Sequence, residues 1–264
     1  MTDGSLRTVA GRSLWRDPAT LAGAAGLFVA LLLIWWWFSA SVSPLLYPSP
    51  AAVVNAFFEM LVTGELWRAT MSTALTFSIG LGLGVIVGIS AGLLVAESPL
   101  AGSIVNPIAT AVYAIPVIVM VPLIIIWFGV DVFGRIFVVF LGTVIPMYLN
   151  SEAGFRSARR DLVEVARSFG AGRTTLLREV VIPGAVPFIM TGLKISVGRA
   201  LGSVVVAEIF LDLSGLGGLI QTSVGLLRVD KMIAATLVLA IAGALLMYAT
   251  TRLEERFDAW RSAH

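Results

Sequence analysis

The stretch ATMSTALTFSIGLGLGVIVGISAGLLVA, residues 69–96, contains no Asp, Glu, Lys or Arg. A run of about 18 or more uncharged, predominantly apolar residues is long enough to cross the hydrocarbon core of a bilayer as a helix. Residues 98–130 are likewise free of charge. A water-soluble fold would have to bury several such helices on all sides, and a chain of 264 residues is too short for that. Composition agrees: 58% of the residues are hydrophobic and 13% are charged, against about 25% charged in ordinary soluble domains. These features point to an all-α integral membrane protein.

Within the opening stretch Ser72, Thr76, Gly80, Gly84, Gly88 and Gly92 recur at every fourth position. That step lays small side chains along one face of a helix. In lipid such a face lets another backbone approach closely, because helix association there depends on packing. The stripe therefore marks a helix-packing face. It serves either another helix of the same chain or a partner subunit.

Upstream, an apolar run from about Leu21 to Ala40 follows Arg7, Arg12 and Arg16, with Trp35, Trp36 and Trp37 near its far end. Its length exceeds the 7–15-residue apolar region of a signal peptide, so it reads as span 1. Ser49 and Pro50 suit a helix start. Val54, Phe57, Phe58 and Leu61 then fall at helical spacing up to Gly64, which predicts a short amphipathic helix on the membrane surface. Span 2 is residues 72–96.

Downstream, span 3 is expected within residues 104–128, interrupted by Pro107, Pro116 and Pro122. Those prolines free backbone carbonyls and kink the helix. Span 4 is read at 133–150, span 5 at 184–210 and span 6 at 232–251. The glycine-rich segment between spans 5 and 6 reads as a loop with a half-helix. The organisation is then an N-terminal tail (1–20), one six-span membrane domain (21–251) with a charged loop at 152–183, and a C-terminal tail (252–264).

Twelve Lys and Arg lie in the two tails and the 152–183 loop, against four (Arg68, Arg135, Arg228, Lys231) in the connections on the other side. The positive-inside rule puts both termini and the 152–183 loop in the cytoplasm. The same placement of basic residues beside spans speaks for topology rather than nucleic-acid binding. There is no cysteine, and the one histidine is His264. Thiol chemistry, disulfides and histidine-based metal or catalytic sites are thereby excluded, and no metal site is expected. GAGRTT at 170–175 departs from a phosphate-binding loop, which requires GxxxxGK followed by Ser or Thr. Arg167 and Arg173 stand where glycine and lysine are needed. No catalytic residue is assigned.

The loop itself, EVARSFGAGRTTLLREVVIP (164–183), carries charges between apolar spans. Leu162, Val165, Ala166 and Phe169 can share one face of a first helix that Gly170 and Gly172 would end. A second helix is expected from about Thr174 to no further than Pro183. The stretch resembles the EAA loop of permease subunits of bacterial ABC importers, whose pattern is EAA, three residues, Gly, nine residues, then Ile-x-Leu-Pro. Glu164, Ala166, Gly170 and Pro183 stand at matching positions, with Val165, Val180 and Ile182 as aliphatic departures. The six-span order, with this loop between spans 4 and 5, agrees.

The resemblance implies a coupling helix that docks on an ATP-hydrolysing subunit, with Glu164, Val165, Ala166, Ser168, Phe169, Gly170, Ala171, Arg173 and Pro183 as the docking residues. It further implies two copies of that ATPase, which bind ATP and Mg and leave this chain without a cofactor. A second permease subunit, this chain itself in a homodimer, and an external solute-binding protein complete the assembly in the bacterial inner membrane. IPVIVMVPLIIIWFGV (115–130) and TGLKISVGRALGSVVVAEIF (191–210) are similar to the branch that imports nitrate, taurine and aliphatic sulfonates. Some relatives of that branch carry pyrimidine-type vitamin precursors instead.

Lys194 and Arg199 are ionisable groups inside span 5, which cost a few kcal/mol by insertion scales and so are functional candidates. Ser196, Arg199 and Ser203 share a helical face, and an arginine there favours an anionic solute. Tyr113, Thr143, Tyr148 and Asn150 are further pathway candidates. The structural alternatives are that Lys194 snorkels to the cytoplasmic surface and that Arg199 pairs with carbonyls freed in the kinked span 3. Glu208 reads as part of a gate, as a binding-protein contact or as a solvated interfacial carboxylate. An ion-gradient-driven carrier is the alternative of another class. It would leave the EAA-like loop unexplained, and no acidic residue is central to a span.

Overall fold

The computed structural model describes residues 18–43, 45–157 and 160–261. The chain is helical throughout, with no strand among the described residues. In order it forms α1 (Pro18–Ser41), α2 (Pro50–Val62), α3 (Glu65–Ala96), α4 (Pro99–Ala114), α5 (Val117–Phe128), α6 (Val132–Arg156) and α7 (Arg160–Ser168). Then follow α8 (Arg173–Leu176), a π-helical turn (Leu177–Val181), α9 (Ile182–Phe210), α10 (Gly215–Gly225) and α11 (Val229–Arg261).

Five segments are long and apolar enough to cross a membrane: Leu21–Ser41, Glu65–Ala96, Val132–Arg156, Arg173–Phe210 and Val229–Arg256. The pair α4–α5, bent by 98° at its break, makes a sixth when it is counted as one span. The expected kink in span 3 is therefore close to a right angle, and the span starts at Pro99 rather than near residue 104. The break falls at Ile115 and Pro116, both extended in backbone conformation. Proline disfavours helical geometry in the residue before it, and Pro116 itself begins the next helix where no N–H is required. Pro107 and Pro122 stay inside helices.

α6 lies between α3 and α9, and these three helices form the centre of the bundle. The glycine stripe explains one interface. A Cβ on Gly80 would lie 2.6 Å from Val139, one on Gly84 2.5 Å from Thr143, one on Gly88 2.7 Å from Met147, and one on Gly92 2.8 Å from Ser151. The helices approach closely because nothing projects between them. The stripe is filled by α6 of the same chain. A second core cluster joins Phe77, Val139, Val197, Ala200 and Val204.

The short helix α2 starts as its residues predict. Ser49 accepts a hydrogen bond from the Ala52 N–H, and Pro50 occupies the first turn. It also carries a second apolar face, which the sequence reading does not name. Val53, Ala56 and Met60 are buried, whereas Val54, Phe58 and Leu61 are about half exposed. The buried face meets Leu66, Leu216, Leu219, Ala234 and Ala235. The helix is thus clasped by α3, α10 and α11 while the face of Val54, Phe58 and Leu61 is left outward.

Pro183 also departs from expectation. It does not end the helix of the charged loop; the helix runs unbroken from Arg173 to Phe210. The π-turn explains this. The Ile182 N–H reaches the Leu177 carbonyl five residues back, which shifts the bonding register just before the proline. Pro183 then falls in the first turn of the resumed α-helix, a position that tolerates a residue without an N–H.

Candidate functional site

The loop between α6 and α9 is built as a knob. α7 ends in a left-handed glycine cap: Gly170 has φ of 78°, its N–H bonds the Arg167 carbonyl, and the Ala171 N–H bonds the Ala166 carbonyl. This double closure satisfies carbonyls at the helix end and needs a residue that tolerates positive φ. Gly172 then starts α8. Glu164, Ser168, Arg173 and Pro183 are exposed, and Ala166 and Ala171 are half-buried. Val165 is 54% and Phe169 88% exposed, so an apolar patch stands on the tip. The side chain of Leu162 lies outside the described residues. Arg173 pairs with Glu97 at 2.7 Å, tying the knob to the α3–α4 turn.

The pathway candidates separate into three environments. Thr143, Ser196 and Ser203 are buried in the contact between α6 and α9. The Ser196 hydroxyl donates to the Thr143 carbonyl at 3.1 Å, the Thr143 hydroxyl to the Val139 carbonyl at 2.9 Å, and Ser203 fills the space left by Gly142. These groups serve helix packing and do not share a space with Arg199.

Tyr148 and Asn150 lie nearer the knob. Tyr148 donates to Asn106 at 2.6 Å, and Asn106 donates to Glu152 at 3.1 Å. Glu152 also pairs with Arg156. Asn150 donates to the Pro146 carbonyl. Lys194 snorkels toward that same end and pairs with Glu254 at 3.0 Å.

Arg199 and Tyr113 come together at the break in span 3. The guanidinium lies 4.2 Å over the Tyr113 ring, and its two terminal nitrogens approach the Tyr113 carbonyl at 3.4 and 3.5 Å. In an unbroken helix that carbonyl would accept from Val117; the break at Pro116 releases it. Both residues line a cavity of about 190 Å³ between α4, α5, α6 and α9, together with Met120, Leu123, Ile124 and Leu141. Among the described residues no carboxylate lines it and none pairs with Arg199.

At the opposite end from the knob, Glu208 is fully buried, which rules out the solvated reading. Thr73 donates to it at 2.7 Å and the Gly217 N–H at 2.9 Å, while the Leu216 N–H donates to the Thr73 hydroxyl at 2.8 Å. A carboxylate is thus set against the first turn of α10, where the helix dipole favours negative charge. Arg135, 4% exposed, donates to Ser72 and Ser214 and pairs with Asp212 at 3.4 Å. The sequence reading counts Arg135 with the charges of a connection although span 4 is drawn from residue 133, and it does not foresee the burial of that side chain; Asp131, four residues earlier, caps α6 and sets Arg135 in its first turn.

Comparison with known proteins follows the same lines. Residues 80–261 match the family described as "Binding-protein-dependent transport system inner membrane component". SsuC of Escherichia coli K12, named for aliphatic sulfonates transport as a permease protein, is 34% identical over 238 residues, covering 89% of this chain and 90% of that protein. The taurine transport system permease protein TauC of the same organism is 29% identical over 258 residues, covering 94% of each. The riboflavin transport system permease protein RibX of Chloroflexus aurantiacus is 32% identical over 245 residues, covering 91% of each. Among solved structures, a chain of the inward-facing MetNI methionine ABC transporter superposes with a TM-score of 0.61 at 20% identity, over 73% of this chain and 95% of that one. That likeness concerns the fold.

Proposed function

The chain belongs to the family of inner-membrane components of binding-protein-dependent transport systems, and from that premise we propose that it forms the translocation pathway for a small anionic solute, of the sulfonate or taurine kind, in an ATP-driven importer. It is a multi-pass membrane subunit without an ATP-binding motif of its own. ATP and Mg are bound by a separate ATPase, two copies of which dock on the knobs of a permease pair. The pair is a homodimer of this chain, and an external binding protein delivers the solute. The knob faces the cytoplasm with both termini, in line with the excess of Arg on that side. Tail, membrane domain and tail divide the chain at about residues 20 and 251.

The observation that carries this reading is the exposed tip of the knob. Phe169 and Val165 stand outward beside a glycine-capped turn, with Glu164, Ala166, Ser168, Gly170, Ala171 and Arg173 around them. A solvated connector gains nothing from presenting them; a groove on a soluble partner covers them. The helix from Arg173 to Phe210 is continuous through Pro183, so motion of the knob is transmitted to the membrane core as movement of one rod. Closure of an ATPase dimer would then bias the bundle between inward-open and outward-open states.

The test is ATP hydrolysis and uptake by the reconstituted complex of this chain with its ATPase and binding protein, comparing wild type with Glu164→Arg. Taurine, alkanesulfonates and nitrate are added one at a time. Stimulation by a member of that set, lost in the variant, supports both the importer and the coupling loop. Stimulation by riboflavin or a hydroxymethylpyrimidine alone would move the solute to the vitamin class, which the RibX likeness keeps open. Uptake with no ATPase present, unaffected by Glu164→Arg, would replace the importer by an ion-driven carrier.

A further inference from the structure

We propose that the cavity at the break in span 3 is a binding subsite for the anionic head and short aliphatic tail of the transported solute, with Arg199 as its anion-binding residue. The proposal rests on the importer reading and names the chemistry of its solute. A guanidinium has five N–H donors. In this structure Arg199 engages one acceptor, the Tyr113 carbonyl, at distances beyond the usual N–H···O range of about 2.7–3.2 Å. The Tyr113 ring takes the flat face of the guanidinium at 4.2 Å and leaves its edges available. A charge within a span is normally paired or faces a cavity. Arg199 has no carboxylate partner among the described residues, and it lines the cavity.

The rest of the lining selects the tail. Met120, Leu123, Ile124 and Leu141 make it apolar. The volume, about 190 Å³, lies below the ~300–1,000 Å³ of pockets for drug-sized ligands. A short alkyl chain fits that space. An ammonium group finds no carboxylate there, so the site suits an alkanesulfonate better than the zwitterion taurine. Arginine presents paired N–H groups that match the geometry of a multi-oxygen anion.

The experiment is uptake of radiolabelled methanesulfonate, butanesulfonate and taurine by proteoliposomes holding the complete complex. The binding protein is common to every sample, so changes in ratio report the membrane subunit. Arg199→Gln should lower uptake of both alkanesulfonates by about tenfold or more, the usual scale for losing a charge-assisted hydrogen bond. Arg199→Lys should retain more uptake than Arg199→Gln. Leu123→Trp narrows the tail pocket and should lower the butanesulfonate-to-methanesulfonate ratio by about tenfold, as pocket-size changes do. That ratio is independent of how much protein folds. Wild-type uptake by Arg199→Gln, or an unchanged ratio in Leu123→Trp, overturns the subsite and leaves the importer standing. Failure of wild type to take up any of the three overturns the subsite, and hydrolysis stimulated instead by an uncharged solute such as riboflavin overturns the anionic-solute reading with it.

Discussion

The role of Glu208 is decided by donors that stand far away in sequence. Thr73 comes from α3 and Gly217 from the start of α10, and each donates to one carboxylate oxygen. Gly215 and Gly217 leave room for the carboxylate, since a Cβ at Gly215 would fall 2.0 Å from its oxygen. Glu208→Ala strands the Gly217 N–H and the Thr73 hydroxyl in a buried site, which costs about 1–3 kcal/mol for each unsatisfied group. Glu208→Gln keeps one acceptor and should lie between that variant and wild type. Thermal unfolding of the detergent-purified chain should rank wild type above Gln above Ala, and equal midpoints would remove Glu208 from the packing of α10. The sequence displays Glu208 near the end of a span, but not its burial. Local pattern carries no trace of a partner 135 positions away. Arg199 was more legible, because a charge within a span and a proline break in another already predict a cation beside freed carbonyls.

Among the elements, α3 was legible in both location and packing face. A four-residue step of small residues has one structural reading, a close helix contact, and only the owner of the facing helix was open. The same helix supplies an internal control. Gly84 faces α6 with no room for a methyl group, while a Cβ on Gly82 meets nothing within 4 Å. Gly84→Ala should destabilise the chain by about 1–3 kcal/mol through overpacking. Gly82→Ala should be neutral or stabilise it by roughly 0.5–1 kcal/mol, as a helical Gly-to-Ala change does. Unfolding midpoints of the two variants measured side by side decide the matter, and a Gly84→Ala midpoint equal to that of Gly82→Ala would refute the contact. Elements that contain proline were read less well. The same residue type breaks span 3 at Pro116 and is passed over at Pro183, because a π-turn precedes one and an extended residue the other. Propensity alone does not distinguish these outcomes; the neighbouring helices that fix the backbone on either side do.

At the scale of the molecule, charge other than that of Arg199 gathers toward the two ends of an apolar bundle, and each end is tied by ion pairs between elements distant in sequence. The six-span order and the knob were readable because hydropathy and charge repeat along the chain. The ties were not, because pairing depends on which ends meet. At the end away from the knob, Glu59 of α2 pairs with Arg228 at 2.9 Å and Lys231 at 3.1 Å, and Lys231 also pairs with Glu65 at 3.0 Å. The hydrogen bonds from Arg228 and then Lys231 hold the Glu59 carboxyl below its ordinary value of 4.5. A carboxylate whose folded value is lowered contributes stability above its unfolded value and loses it as pH falls through the folded one. The cluster should therefore hold α2 against the α10–α11 turn at neutral pH and release it in acid below about pH 4.5. Glu59 is exposed, so the effect is modest and screened by salt. The difference in unfolding midpoint between wild type and Glu59→Gln should favour wild type at pH 7 and low ionic strength, shrink in high salt, and vanish in acid. A difference that persists unchanged in acid would mean that Glu59 acts through packing, and α2 would then owe its position to Val53, Ala56 and Met60 alone.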